Sequence, residues 1–268
     1  MDEKFSLAEL MAVTVARELR DGDHCFIGLG TGGRAFVRAV GVPSVACELA
    51  KRAHGKDVSA QYGVLFEPEV AELPASFSDG DLLSWRARAR VPVDYCLDTF
   101  RTGRISVGFI SGAQMDRWGN VNAVQIGRGD PPTVRLVGPI AQTDHAAHAG
   151  RVVIVMPHER RALVESVDYV SAVGFPGGRW GRERLGLPGG GPCLVLTDLA
   201  TFDFDEEGKA RLRTVHPGVT FADVVARTGF DVGDVERPAV TGVPTDDELT
   251  AIREVIDPEG RLLEARVA

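Results

Sequence analysis

Cysteine is scarce: Cys25, Cys47, Cys96 and Cys193 are scattered through 268 residues, with no CxxC spacing. That excludes a disulfide framework and a thiolate zinc site, and predicts reduced core thiols in a cytoplasmic protein. The six histidines form no HExxH pattern, so no metal site is expected. No apolar run approaches the ~20 residues of a membrane-spanning helix. The start, Met1-Asp2-Glu3-Lys4-Phe5, is acidic and carries no apolar core, so no signal peptide is expected. A basic excess is missing too. The formal net charge is −8, which argues against a general grip on nucleic acid. Repeats, low-complexity stretches and linkers are absent, so a single domain over 1–268 is the simpler reading.

What is present is an α/β rhythm. Ser6 to Arg20 carries an apolar helical face, and Ser6 with Glu9 fits a capping box. His24 to Gly28 reads as a strand. Gly28-Leu29-Gly30-Thr31-Gly32-Gly33 follows it and leads into helices over about 34–40 and 45–54. Val58 to Gly63 is the second strand candidate. A helix over 93–101 precedes the fully apolar run Ile105 to Ile110. Arg151 to Met156 and Cys193 to Thr197 are similar runs, the pattern of parallel strands covered on both faces. Thr201 to Thr214 reads as a hairpin. Short helices are predicted over 220–228 and 245–256, the last with a Thr245/Glu248 capping box.

Four segments carry candidate chemistry. Gly28-x-Gly30-x-x-Gly33, between strand and helix, has the form of a dinucleotide loop, although the acid such a site needs falls at Glu48, in a helical run. Asn120 and Asn122 alternate in Asp116-Arg117-Trp118-Gly119-Asn120-Val121-Asn122. Their amides either hold a carbonyl or carboxylate, or satisfy the backbone of a tight turn. The loop from Gly174 to Pro192 contains Arg179, Arg182 and Arg184, which suggests an anion or partner, with a solvated surface loop as the alternative. Asp144, His145 and His148 suit the exposed start of a helix.

Together the Gly28–Gly33 loop, Gly112-Ala113-Gln114-x-Asp116-x-x-Gly119-Asn120-Val121-Asn122, Pro157-His158-Glu159-Arg160-Arg161, Val167-Asp168-Tyr169-Val170 and Gly181-Arg182-Glu183-Arg184-Leu185-Gly186-Leu187-Pro188 resemble the β subunits of family I CoA-transferases, most closely the glutaconate type. His216-Pro217-Gly218-Val219 and Pro244 to Leu249 are similar to steroid-ring hydrolases of the same superfamily. The resemblance implies an open α/β fold with a largely parallel sheet flanked by helices. It implies a homologous α subunit, in an αβ or α2β2 assembly, and a coenzyme A thioester as substrate with no tightly bound cofactor. It also implies a glutamate nucleophile at the end of the second strand, where this chain has Gln61. A neutral amide is neither nucleophile nor base. The family's glycine-rich oxyanion stretch matches Gly138-Pro139-Ile140-Ala141-Gln142, in which Pro139 has no N–H to donate.

The expected function is therefore acceptor-independent decarboxylation or C–C hydrolysis of a dicarboxylic or ring-derived acyl-CoA. Gln61, Asp144 and His145 are the catalytic candidates. Gly30, Thr31, Gly32, Tyr62, Asn120, Asn122 and Gly138 are the substrate or CoA candidates. The alternatives are a true transferase with its nucleophile elsewhere or mutated, a catalytically silent partner subunit, and an NAD-binding oxidoreductase.

Overall fold

The computed structural model describes residues 4–29, 33–74, 80–233 and 237–264. The chain forms two compact units. The first comprises residues 1–99, 104–109 and 242–268, and the second residues 100–103 and 110–241.

The first unit begins with α1 (Leu7–Glu18), whose capping box is complete: Glu9 N–H donates to Ser6 Oγ, and Ser6 N–H to the Glu9 carboxylate. Its sheet contains β1 (Asp23–Ile27), β2 (Val58–Tyr62), β3 (Leu65–Pro68), β4 (Ala87–Arg90) and β5 (Val107–Ile110), in the order β5-β1-β2-β3-β4. β1 runs parallel to β2 and to β5, while β2, β3 and β4 are antiparallel. The helices α2 (Gly33–Phe36), α3 (Val42–Arg52), α4 (Asp81–Ser84) and α5 (Val93–Arg101) lie between these strands in the sequence. α1 packs on α3, whose residues 42–50 are all buried. A π-helical turn, Val37–Gly41, joins α2 to α3. Glycine is required at its end, because a Cβ on Gly41 would lie 2.0 Å from the Leu262 carbonyl oxygen. The helix Asp246–Thr250 is tied to this unit by Glu248, which accepts from Arg17 Nη2 at 2.7 Å and contacts His54 Nε2 at 2.9 Å.

The second unit opens with two small hairpins. β6 (Gln114–Met115) pairs with β7 (Val121–Asn122), and β8 (Gln125–Ile126) with β9 (Val134–Arg135). After α6 (Gln142–His148) comes β10 (Arg151–Val155), parallel to β11 (Pro192–Leu196). α7 (Trp180–Arg184) lies in the long loop between them. The predicted hairpin is β12 (Ala200–Phe204) with β13 (Ala210–Val215); α8 (Phe221–Arg227) and β14 (Ala239–Val240) complete the unit. This is the predicted α/β architecture, with parallel pairing at the apolar runs and antiparallel strands beside them.

Candidate active site

The first unit builds its polar site on β1 and β2. In a parallel pair the register sets His24 opposite Ser59 and Phe26 opposite Gln61. Successive side chains alternate faces, so Ser59 and Gln61 share a face while Cys25 and Ala60 enter the core. Ser59 Oγ and His24 Nδ1 are 2.6 Å apart. His24 Nε2 lies 3.3 Å from Gln61 Oε1, and Gln61 Nε2 donates to the Gly63 carbonyl at 2.9 Å. Phe66 stacks on the imidazole with centroids 5.4 Å apart. Burial pulls the His24 pKa below its usual value, opposed by the Gln61 hydrogen bond and the Glu67 carboxylate. Glu67 accepts from Lys51 Nζ at 2.8 Å and from the Ala60 N–H.

Gln61 itself is fully buried, and His24 and Ser59 are the half-exposed members of the cluster. Tyr62 lies on β2 next to Gln61. Its side chain is 1% exposed and meets Trp85 edge-on, so it belongs to the core. Gly30, Thr31 and Gly32 lie outside the described residues. Glu48 does not serve a dinucleotide: it is in α3, and its carboxylate is held by Lys51 and Arg52, each at 2.9 Å.

The second unit accounts for several motifs that carry the resemblance. Asn120 Nδ2 donates to the buried Asp116 carboxylate at 3.1 and 3.2 Å, and Asn120 Oδ1 accepts from Gly174 N–H at 2.9 Å. Asn122 Nδ2 donates to Gln114 Oε1 at 2.8 Å and to the Gln125 carbonyl at 2.6 Å, while its Oδ1 accepts from Val124 N–H at 3.0 Å. Gln114 Nε2 donates to Asp168 at 3.1 Å. Two stretches far apart in sequence, 114–125 and 168–174, are thus tied together in a hydrogen-bonded knot. The side-chain amides of Asn120 and Asn122 are both engaged in these bonds, with side-chain as well as backbone partners.

Gly138 adopts φ +88°, and its N–H donates to the Ala123 carbonyl at 3.0 Å instead of pointing to an oxyanion. Asp144 is half-buried in the first turn of α6. His145 is not at an exposed helix start. It is 1% exposed, with its ring stacked 4.7 Å from Phe100. The arginine loop is also corrected in part. Arg182 is 4% exposed, and its guanidinium donates to the carbonyls of Ala146, Val173, Gly174 and Gly189. It staples the loop and has no room for an anion. Sequence reasoning misses the His24–Ser59 pair, because strand alternation draws attention to apolar positions. A polar residue in each of two adjacent strands, His24 in one and Ser59 in the other, is the signal that could have found it.

The family model for coenzyme A transferase matches residues 8–227. The chain belongs to the coenzyme A transferase family. The B subunit of 3-oxoadipate CoA-transferase from Pseudomonas knackmussii is 35% identical, covering 98% of this chain and 95% of that one. The IpdB subunit of the cholesterol ring-cleaving hydrolase of Mycobacterium tuberculosis is 31% identical over 94% of this chain and 95% of its own. Among solved structures, glutaconate CoA-transferase from Acidaminococcus fermentans superposes with a TM-score of 0.82 at 31% identity, covering 97% of this chain and 98% of that one. The decarboxylase AibA/AibB gives 0.78 at 25% identity, covering 98% of each chain. The family therefore spans transferase, hydrolase and decarboxylase chemistry on one fold. Among the described residues no helix is long and apolar enough to cross a membrane, and no group of three or more acidic, His or Cys side chains is placed to hold a metal.

Proposed function

We propose that this chain is the β subunit of a heteromeric cytoplasmic enzyme acting on a dicarboxylic or ring-derived acyl-CoA, and that it works without an acceptor acid, by C–C hydrolysis or decarboxylation. Coenzyme A enters as part of the substrate, with no resident cofactor. The observation that carries this reading is Gln61. Transfer through an acyl-enzyme anhydride needs a carboxylate at the end of β2, and a buried amide held by His24 and the Gly63 carbonyl cannot supply one. The Gly138 N–H, engaged with Ala123, supports the same conclusion. The hydrolase and decarboxylase relatives make acceptor-independent chemistry compatible with the fold.

The test is acceptor dependence. The chain is purified with its α subunit and given glutaconyl-CoA and ring-derived thioesters, with and without acetate, and products are followed by mass spectrometry. Loss of CO2 or addition of water without acetate is expected. Acetyl-CoA formed only when acetate is present would overturn the reading and move the search for the nucleophile to the partner chain.

A further inference from the structure

The polar cluster on β1 and β2 has a direction that its heavy atoms alone determine. The Gln61 amide has one orientation open to it. The Gly63 carbonyl, 2.9 Å away, accepts only from Nε2, because the flipped amide would set two oxygens against each other. Oε1 therefore faces His24 Nε2, which must carry the ring proton. Nδ1 is then the bare nitrogen, and Ser59 must donate its hydroxyl proton to it across 2.6 Å. Behind the ring, Ser106 Oγ accepts from His24 N–H at 2.8 Å and donates to Asp23 Oδ1 at 3.0 Å, which fixes the backbone. The charged groups around the ring are Glu67, itself paired with Lys51, and Asp23 beyond Ser106.

A hydroxyl bonded to an imidazole, with the other ring nitrogen held by a third residue, is the arrangement of a proton-handling unit. The two half-exposed members stand at its outer end and the buried one at its inner end. We propose that Ser59 and His24 are the proton-relay pair of this site and that Gln61 is the residue that positions His24. This rests on the acyl-CoA reading above. Water gives one proton to Ser59 Oγ as the Ser59 proton moves to His24 Nδ1. The hydroxide adds to the substrate carbonyl carbon, and the adjacent carbon–carbon bond breaks with its electron pair on the departing carbon. That carbon takes the proton back from the imidazolium through Ser59. Burial keeps the imidazole neutral at pH 7, the form that can accept the proton. The substitution of the family's glutamate then has a positive role, since an uncharged acceptor orients the ring while raising its basicity less than a carboxylate would.

The test uses the complex with its α subunit and, as probe, a coenzyme A thioester whose acyl group carries a cyclic β-diketone, the carbonyl pair that the hydrolytic step needs. His24→Gln keeps a donor for Gln61 but no basic nitrogen. It is expected to lower kcat about a hundredfold and to flatten the acidic limb of the pH–rate profile, with KM little changed. Ser59→Ala should lower kcat in the same direction. Gln61→Glu should move the acidic limb to higher pH, because a carboxylate beside the ring favours the imidazolium. A full rate or an unmoved acidic limb in His24→Gln overturns the proposal. Nitrogen-15 NMR of the wild-type complex provides a reading independent of turnover and of any variant's folding. A bare Nδ1 and a protonated Nε2 are expected, and the opposite tautomer overturns the proposal. Coenzyme A binding by calorimetry separates the two levels. A complex that does not bind coenzyme A refutes the acyl-CoA reading itself, whereas binding with an unmoved limb refutes only the relay.

Discussion

Arg182 is buried in the loop between β10 and β11, where its guanidinium is surrounded by backbone carbonyls. In a loop with two other arginines it suggests anion binding, yet the folded chain spends its guanidinium on backbone carbonyls. Charge is legible there; the partner is not, because a guanidinium satisfies carbonyls as well as phosphates. Replacing it with methionine keeps the bulk and orphans buried acceptors, each costing ~1–3 kcal/mol. Arg182→Met is expected to lower unfolding free energy by about 3 kcal/mol, seen as a lower urea midpoint. Lysine has one compact ammonium in place of the fork, so it should recover only part of the loss. A midpoint unchanged in Arg182→Met would show that the loop does not depend on the staple. Asn120 and Asn122 teach the same lesson. Their alternation is visible, but the spacing of two amides does not reveal that Asp116 and Gln114 wait beside them.

At the scale of elements, the apolar runs are the most legible feature. Strands β5, β10 and β11 and helices α1 and α5 lie within about two residues of their expected positions, because burial on both faces or along one stripe leaves a continuous pattern. Strands β3 and β4 escape sequence reasoning. β4 is Ala-Arg-Ala-Arg, mostly exposed, and it is held by backbone pairing to β3 rather than by an apolar face. A second hidden layer is a set of histidine–threonine contacts at the ends of the second unit's elements. His158 contacts Thr197 Oγ1 at 2.8 Å and Thr228 Oγ1 at 3.1 Å, and His216 contacts Thr241 Oγ1 at 2.9 Å. Burial pushes the His158 pKa down to about 4 and lowers that of His216 as well. The unfolded chain takes up protons near pH 6.5 while the folded one resists them. Stability is therefore full above about pH 6.5 and falls as the pH drops toward 4. For His158 alone the loss amounts to about 3 kcal/mol by linkage. Urea midpoints between about pH 7 and 4.5 should fall, and His158→Gln should reduce the slope. An equal slope in that variant would assign the acid sensitivity to other groups.

The whole molecule carries a net charge of −8, whereas coenzyme A is itself a polyanion. Long-range electrostatics therefore oppose the encounter between this chain and its expected substrate, and binding needs local donors or cations strong enough to reverse that field. Three of the chain's cations are already occupied within the fold: Arg182 by carbonyls, Lys51 by Glu48 and Glu67, and Arg17 by Glu248. A site completed by the α subunit would resolve this, because the second chain would bring its own positive surface. The fold is legible from motifs spread along the sequence, but residues that a second chain would contribute cannot be read from one. The isolated chain is accordingly expected to bind coenzyme A at least about a hundredfold more weakly than the complex at physiological salt, and calorimetry on both would measure the difference. The affinity of the complex should fall as salt rises, since the contacts that overcome the repulsion are ionic and screened over about 8 Å at about 0.15 M. Equal affinity for the isolated chain would place the whole nucleotide grip on these residues and leave its partner with a purely catalytic or structural part. Weak binding alone, with strong salt-dependent binding together, would divide the labour: the partner captures the anionic carrier, and the Ser59–His24–Gln61 cluster acts on what it carries.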